Sequence, residues 1–328
     1  MESRDLILEA RDLTTAYGTG LGLVRAVDDV SFTIHKGDRI GIAGESGCGK
    51  STFILSLIRL VPPPGRIIKG EIIYHGFGTP TNILSLPDEK IRRYRWEEMS
   101  MVFQGAQSAL NPVIKIKEHF IDTIRDHVEP WKTGEVYKRT PELLKGVRLE
   151  EKVLDMYPHQ LSGGMKQRVS IAISLILNPK MLILDEPTSA LDLLTQKHIV
   201  DMISDICMSQ NLTTIFVTHD VSLLAEVATE IAIMYAGKIV ESAPVRDLFH
   251  GPKHPYTSAL MNAIPSLIGE VDSVRSIPGE VPNLANPPKG CRFHPRCPYA
   301  VDICKGVEPS MEATGSESLV ACHRWKEF

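Results

Sequence analysis

The sequence lacks any apolar run long enough to cross a bilayer. Spanning requires about 18–20 consecutive apolar residues, whereas the longest candidate, Val169 to Leu177, is short and is interrupted by Ser170 and Ser174. The N-terminus is charged and has no apolar core of signal-peptide length. We therefore expect a cytoplasmic chain, so that any membrane-spanning part of a transport system lies on another chain.

A strong excess of one charge is also missing. The formal net charge is −4, and we find no basic stripe of the kind that nucleic-acid binders present. Nucleic acid is therefore not an expected partner. The hydrophobic fraction of 43% is ample for a sizeable core, and 328 residues fit one large domain with an appendage, or two domains.

Three short apolar runs are typical of strands buried on both faces: Asp38–Gly44, Met181–Asp185 and Thr213–Thr218. A segment with helical periodicity, Asp192–Gln210, separates the last two, and a helix is predicted over Ser51–Leu60 after the first. Strand, helix and strand at this spacing predict a parallel sheet covered by helices.

The remaining segments differ in pattern. Leu6–Leu13 and Val24–Ile34 alternate apolar and polar residues, which predicts antiparallel strands with one wet face. Ile116–Gly146 reads as helical, which indicates an inserted helical subdomain. Prolines become dense after Gly251, so the C-terminal stretch is expected to be extended and rich in loops.

Residues 44–51, with the sequence GESGCGKS, match the phosphate-loop pattern G-x4-G-K-[ST]. Glycines let backbone N–H groups turn toward phosphate oxygens, and the following helix directs its positive end at the same anion. Lys50 would add a charge at the β and γ phosphates, and the Ser51 hydroxyl would ligate Mg²⁺. The predicted nucleotide-binding residues here are Gly44, Ser46, Gly47, Cys48, Gly49, Lys50, Ser51 and Thr52.

Cys48 allows two interpretations, a redox switch or a small residue tolerated at a variable position, and we favour the second. A GTPase-type switch is disfavoured because no guanine-reading N-K-x-D motif is present.

Two adjacent acids end the apolar strand Met181–Asp185. Asp185 could hold Mg²⁺ through water, opposite Ser51, and Glu186 stands where a base could orient the attacking water. Phosphoryl transfer needs mainly alignment and charge neutralisation, so a metal, a lysine and one water-orienting carboxylate are a sufficient set.

The segment Leu161–Arg168, LSGGMKQR, resembles the LSGGQ signature of ATP-binding-cassette proteins, from which it departs at Met165. Ser162, Gly163 and Gly164 at a helix start would offer donors to the γ-phosphate of a partner subunit's ATP. By the same resemblance Tyr17 stacks on adenine, Gln104 contacts Mg²⁺ and senses the membrane subunit, and His219 contacts the γ-phosphate. Residues 189–192, SALD, resemble the dimer-interface loop.

The resemblance implies a phosphate-loop α/β fold: a mixed sheet with an antiparallel β subdomain, a RecA-like parallel core and a helical subdomain. We expect the nucleotide-binding domain over residues 1–250, with the helical subdomain at about 105–178, and a C-terminal extension over residues 251–328.

The C-terminal extension resembles that of dipeptide/oligopeptide importer ATPases, on the segments HPYT at 254–257, IPGEVP at 277–282 and GCRFHPRCP at 290–298. This implies a complex with a second ATPase subunit, either a related chain or a second copy, and with two permease subunits. An extracytoplasmic solute-binding protein would act indirectly by selecting the substrate. The ATPase would then lie peripherally at the cytoplasmic face of the membrane. Related members import nickel or oligosaccharides, so these cargoes are alternatives.

Four cysteines in this extension are spaced C-x5-C-x6-C-x17-C, at Cys291, Cys297, Cys304 and Cys322. Four thiolates could hold a [4Fe–4S] cluster or Zn²⁺, although the spacing matches neither zinc ribbons nor common ferredoxins. The resemblance favours the iron–sulfur cluster. Free or disulfide-linked thiols are the remaining alternative. Arg292, Arg296 and His323 are predicted to offset thiolate charge, whereas His250 and His254 are read as parts of a loop turn.

A cassette ATPase unlinked to transport is the principal alternative function. The stretch between Lys50 and Leu161 is too short for the long coiled coil of repair ATPases, and translation factors usually carry two cassettes where this chain has one. The preferred mechanism is head-to-tail dimerisation around two ATP molecules, reopened by hydrolysis.

Overall fold

The computed structural model describes residues 5–20, 22–76, 78–129, 132–189, 191–263, 277–315 and 317–328. The chain divides into two compact units that alternate along the sequence. Unit 1 comprises residues 1–7, 35–39 and 75–217, and unit 2 comprises residues 8–34, 40–74 and 218–328. Each unit is described by itself.

Unit 1 is built on three parallel strands. They are β6 (Met99–Val102), β7 (Met181–Asp185) and β8 (Thr213–Val217), with β7 paired to both neighbours. Every residue of the three is buried, which explains their continuous apolar sequences. A short strand, β5 (Thr81–Asn82), also belongs to this unit.

In the described part of unit 1 these strands are accompanied by the helices α2 (Asp88–Glu97), α3 (Ile116–His127), α4 (Thr133–Tyr137), α5 (Thr140–Gly146), α6 (Gly163–Leu175) and α7 (Leu193–Gln210). Helix α3 buries Ile116, Phe120 and Ile124 at the spacing of a single helix face. Among its described residues, the predicted helical region over residues 116–146 contains α3, α4 and α5 in succession.

Unit 2 contains two groups of strands. In the first, β1 (Leu6–Thr19) lies between β2 (Gly22–His35) and β4 (Gly65–Tyr74), and it is antiparallel to β4. In the second, β3 (Arg39–Ala43) is parallel to β9 (Glu230–Tyr235), which pairs antiparallel with β10 (Lys238–Pro244). The C-terminal extension contributes β11 (Glu312–Ala313) and β12 (Leu319–Val320), and β12 pairs antiparallel with β10.

The helices of unit 2 are α1 (Lys50–Leu57), α8 (Val221–Val227), α9 (Val245–His250), α10 (Pro255–Asn262) and α11 (Asp302–Gly306). Helix α1 begins at the lysine of the phosphate loop, one residue before the predicted start, and ends at Leu57 rather than at Leu60. None of the helices among the described residues has both the length and the apolar character needed to cross a membrane.

Candidate nucleotide site and cysteine pocket

The phosphate loop of unit 2 connects β3 to α1 and contains three glycines with positive φ. The φ values are 149° at Gly44, 77° at Gly47 and 110° at Gly49. A Cβ at Gly44 would lie 2.1 Å from the carbonyl oxygen of Met234, and one at Gly49 would lie 2.1 Å from that of Ala26. The loop therefore requires glycine at these two positions for both its backbone and its packing.

Lys50 folds back onto the loop that precedes it. Its Nζ donates to the carbonyl oxygens of Gly44 at 2.7 Å and Glu45 at 3.1 Å, and the residue is buried. These carbonyls accept two of the three protons of the ammonium. Ser46 and Gly47 are exposed at the loop tip, whereas Ser51 and Thr52 lie in the first turn of α1 and are half-buried.

Cys48 is buried within the loop, and burial raises the pKa of its thiol. A reactive redox cysteine needs thiolate character and access to solvent, and Cys48 has neither. The structure therefore favours the interpretation of Cys48 as a small packing residue.

Two further predicted nucleotide contacts belong to unit 2. Tyr17 lies in β1, and its hydroxyl is 3.4 Å from Oγ1 of Thr52, which ties the ring to helix α1. A Cβ at Gly65 would lie 2.5 Å from the Tyr17 ring, so the small residue leaves room for the aromatic side chain. His219 follows β8 and is exposed.

The predicted magnesium and catalytic carboxylates lie at the end of β7 in unit 1. Asp185 is the last residue of the strand and is buried, whereas Glu186 is half-buried and adopts a φ of 45°. Its amide donates to the carbonyl oxygen of Val217, and its own carbonyl oxygen accepts from the amide and hydroxyl of Ser189. The left-handed backbone is thus held on both sides.

Gln104 and Glu186, predicted from separate motifs, are in direct contact. Nε2 of Gln104 donates to Oε2 of Glu186 at 2.9 Å. The amide follows β6 and the carboxylate follows β7, and because these strands are parallel their carboxyl ends meet at one edge. The structure therefore brings together a predicted metal contact and the predicted base.

The signature segment forms the start of helix α6. The Ser162 hydroxyl accepts from the amide of Met165 at 3.2 Å and caps the helix, while Ser162 and Gly163 remain exposed. A Cβ at Gly164 would lie 2.6 Å from Cγ2 of Thr195 in α7, so this glycine permits the two helices to approach closely. The predicted interface loop follows Glu186; its Asp192 caps α7, and its Ala190 lies outside the described residues.

All four cysteines of the extension line one pocket of unit 2, together with His254, Phe293 and Arg324 among others. Burial, with a smaller contribution from the neighbouring cysteines, raises the pKa of Cys291 and of Cys322 to about 11. Among the described residues no group of three or more His, Cys, Asp or Glu is arranged to hold a metal ion.

The predicted charge partners of the thiols are arranged differently from expectation. Arg296 pairs with Glu45 and Arg292 pairs with Asp28, so neither guanidinium neutralises the cysteines. Nε2 of His323 contacts the carbonyl oxygen of Val307. The cation that sequence reasoning missed is Arg324: its amide donates to Sγ of Cys322 at 3.4 Å, and its charge lowers the pKa of Cys297 against the larger effect of burial. The sequence did contain a signal for Arg324 as a charge partner, because this residue stands two positions after Cys322.

The two histidines near Gly251 serve local structure. His254 is buried and accepts the amide of Tyr256 at 3.0 Å through Nδ1, which caps helix α10. His250 contacts the carbonyl oxygen of Arg246 through Nδ1.

Comparison with known proteins identifies the family. Residues 27–189 match the ABC transporter family, and residues 240–304 match the oligopeptide/dipeptide transporter C-terminal region. The chain is 44% identical to the dipeptide transport ATP-binding protein DppD of Caldanaerobacter subterraneus, over 98% of each chain. It is 38% identical to the oligopeptide transport ATP-binding protein OppD of Salmonella typhimurium, over 98% of this chain and 94% of that protein.

Solved structures agree with this assignment. A dimeric structure of a bacterial ABC transporter cassette matches with a TM-score of 0.63 and 29% identity, covering 73% of this chain and 99% of the other. A second match is the cbiO1 protein of Clostridium perfringens, part of an ABC transporter complex, with a TM-score of 0.63 and 26% identity over 75% and 91% of the two chains. The chain therefore belongs to the ABC transporter family, as an ATP-hydrolysing subunit of the oligopeptide/dipeptide type.

Proposed function

We propose that this chain powers the import of peptides across the cell membrane by binding and hydrolysing ATP. The observation that carries the cargo class is the match of residues 240–304 to the oligopeptide/dipeptide transporter C-terminal region. The cargo class is also supported by the similarity of the chain, over nearly its full length, to relatives named for dipeptide and oligopeptide transport.

The residues proposed to act on the nucleotide form two sets. One set would hold Mg²⁺, and the other would contact the attacking water and the γ-phosphate. Ser51, Asp185 and Gln104 would hold Mg²⁺, the first two on opposite sides of it. Glu186 would orient the attacking water, and His219 would contact the γ-phosphate. The hydrogen bond from Gln104 to Glu186 supports placing the two sets next to each other, because it orients the carboxylate beside a proposed metal ligand.

Binding of the nucleotide is proposed to need two subunits. The phosphate loop, with Tyr17 at the adenine, would hold ATP on one face. Ser162, Gly163 and Gly164 of the partner subunit's equivalent segment would close the other face. The exposure of Ser162 and Gly163 at the start of α6 supports an external target for these donors.

The subunit would work at the cytoplasmic face of the membrane, as a peripheral partner of two permease subunits. The second ATPase would be a related chain or a second copy, and a solute-binding protein would deliver the cargo indirectly. Residues 1–250 would form the nucleotide-binding domain, with its helical subdomain at about 105–178, and residues 251–328 the extension.

We further propose that Cys291, Cys297, Cys304 and Cys322 hold a [4Fe–4S] cluster. What supports this is that all four cysteines line one pocket, and four is the number of thiolates that such a cluster takes. When bound, such a group supplies folding free energy to a segment with little core of its own. Because burial holds the thiol pKa values of Cys291 and Cys322 near 11, ligation would release protons from these residues.

The cargo is tested by reconstituting the chain with its permeases and binding protein in vesicles. We expect ATP-dependent accumulation of a labelled dipeptide and stimulation of ATP hydrolysis by that peptide. Lys50→Met should abolish both, while Arg246→Met, which changes an exposed arginine on α9, should alter neither. Uptake of an oligosaccharide or of Ni²⁺ without any peptide uptake would show that the cargo assignment is wrong.

The cluster is tested by metal and sulfide analysis of protein purified without oxygen. We expect about four iron atoms per chain, lost in Cys304→Ser and retained in Cys207→Ser. Cys207 is the matched control, because it is also buried but lies in helix α7 of unit 1. Zinc in place of iron would contradict the proposal.

A further inference from the structure

The segment from Cys291 to Cys297 makes an ion pair with the phosphate loop, between a buried arginine and a half-buried glutamate. The guanidinium of Arg296 donates to both carboxylate oxygens of Glu45, at 2.7 and 2.9 Å. The Arg296 side chain is 4% exposed and that of Glu45 22%. A bidentate pair of this kind fixes the geometry of both partners as well as their separation.

Arg296 is itself held from other directions. Its Nε donates to the carbonyl oxygen of Pro278 at 2.8 Å, and its Nη1 donates to the hydroxyl of Tyr235 at 3.3 Å. The guanidinium carbon lies 5.8 Å from the centre of the Tyr235 ring, within cation–π range. Glu45 is therefore held by a fixed cation.

An aromatic cluster provides a second connection to the same residue. Phe293 is buried against Tyr235 and Tyr256, with ring centres 5.3 and 5.4 Å away. The hydroxyl of Tyr256 accepts the backbone amide of Glu45 at 2.8 Å. Both the backbone and the side chain of Glu45 are thus positioned by groups packed with the cysteine-bearing segment.

A third connection reaches the other end of the phosphate loop. Arg292 donates to the carbonyl oxygen of Ala236 and to the carboxylate of Asp28. The adjacent amide of Gly237 donates to the carbonyl oxygen of Cys48 at 2.7 Å. Arg296 therefore contacts the phosphate loop directly at Glu45, near the start of the loop. Arg292 is connected to Cys48, near the end of the loop, through the backbone of Ala236 and Gly237.

We propose that Arg296 is a positioning residue for ATP binding, and that the four-cysteine site sets nucleotide affinity through it. Cys291 and Cys297 stand at the two ends of the segment that presents Arg292 and Arg296. Any change that moves these cysteines displaces the partner of Glu45. Because Arg296 is buried, moving it away from Glu45 would leave an interior guanidinium without its carboxylate partner, which couples the position of the segment to that of the loop. The inference rests on the phosphate loop as the ATP site.

The test compares ATP dissociation constants of full-length variants, measured without hydrolysis. Arg296→Met should weaken ATP binding about tenfold or more, on the scale of coupling between linked sites. At saturating ATP the turnover should change little, because Arg296 contacts no reacting group. Arg296→Lys should recover part of the affinity, and the exposed Arg246→Met should bind ATP like the wild type.

Two combinations decide whether the coupling runs through this ion pair. Glu45→Gln should weaken ATP binding as Arg296→Met does, and the double variant should be no weaker than either. Cys297→Ser should also weaken binding, with no further loss when combined with Arg296→Met. The proposal is overturned if Arg296→Met has the thermal midpoint of a folded protein and still binds ATP within about twofold of wild type. It is also overturned if the losses of ATP affinity in the single variants add up in the double variants. Failure of the wild type to bind ATP would instead refute the nucleotide site itself.

Discussion

At the scale of single residues, Glu186, the proposed catalytic carboxylate, has an unusual backbone conformation. Its φ of 45° is in the left-handed region, which costs a residue other than glycine on the order of 1–3 kcal/mol. Hydrogen bonds from Ser189 and to Val217 stabilise this conformation, and the carboxylate then meets Gln104. The left-handed backbone therefore occurs at the residue whose carboxylate is proposed to accept a hydrogen bond from the attacking water.

Protonation of a second residue, His254, is expected to make the free energy of unfolding depend on pH. Burial lowers its pKa to about 3, whereas an unfolded histidine titrates near ~6.5. The unfolded chain therefore binds the proton first. This contribution to stability is complete above about pH 6.5 and is lost progressively as the pH falls toward 3.

Between about pH 6.5 and 5 the loss from His254 should approach ~2 kcal/mol in the free energy of unfolding. His254→Asn should lose less over the same range, because an amide oxygen can cap α10 without titrating. The measurement is urea unfolding of both proteins at several pH values. Glu241, whose pKa burial raises, has the opposite dependence but is common to both. Parallel pH profiles for the two proteins would contradict the assignment.

At the scale of secondary structure, the buried strands were the most predictable elements. Strands β3, β7 and β8 appear within a residue or two of the predicted runs, because burial on both faces demands continuous apolar sequence. Helices α6 and α7 begin where Ser162 and Asp192 supply caps. Local chemistry alone determines these features.

Other elements had no comparable local signal. Strand β4 exposes much of its length, and Gly70 within it approaches the carbonyl oxygen of Arg11, so its sequence lacks a clean alternation. The turn between β9 and β10 uses Ala236 and Gly237, both with positive φ. Alanine is uncommon there, whereas Asn-Gly or Asp-Gly would have indicated a hairpin.

The contacts of the extension were beyond sequence reasoning for a different reason. Arg296 and Glu45 are 251 positions apart, and Arg292 and Asp28 are 264 apart. Proximity to Cys291 and Cys297 suggested a role beside the thiols. Only the fold shows that both guanidinium groups point to the phosphate loop and its neighbours.

At the scale of the whole molecule, the residues proposed to act on ATP come first from unit 2, then from unit 1 and then again from unit 2 along the sequence. The phosphate loop, Tyr17, His219 and the cysteine pocket belong to unit 2, whereas Gln104, the signature and both carboxylates belong to unit 1. In the proposed mechanism a partner subunit supplies the signature residues that complete each nucleotide site.

The most direct test of this account is Glu186→Gln in the assembled transporter, with Arg246→Met as the matched control. Glutamine keeps the size and one acceptor oxygen of Glu186 but cannot take up a proton, so ATP would bind and close the dimer without being hydrolysed. We expect an ATP dissociation constant no weaker than that of the wild type, together with turnover reduced at least ~100-fold, as for loss of a general base. Turnover at the wild-type rate in Glu186→Gln would contradict the account.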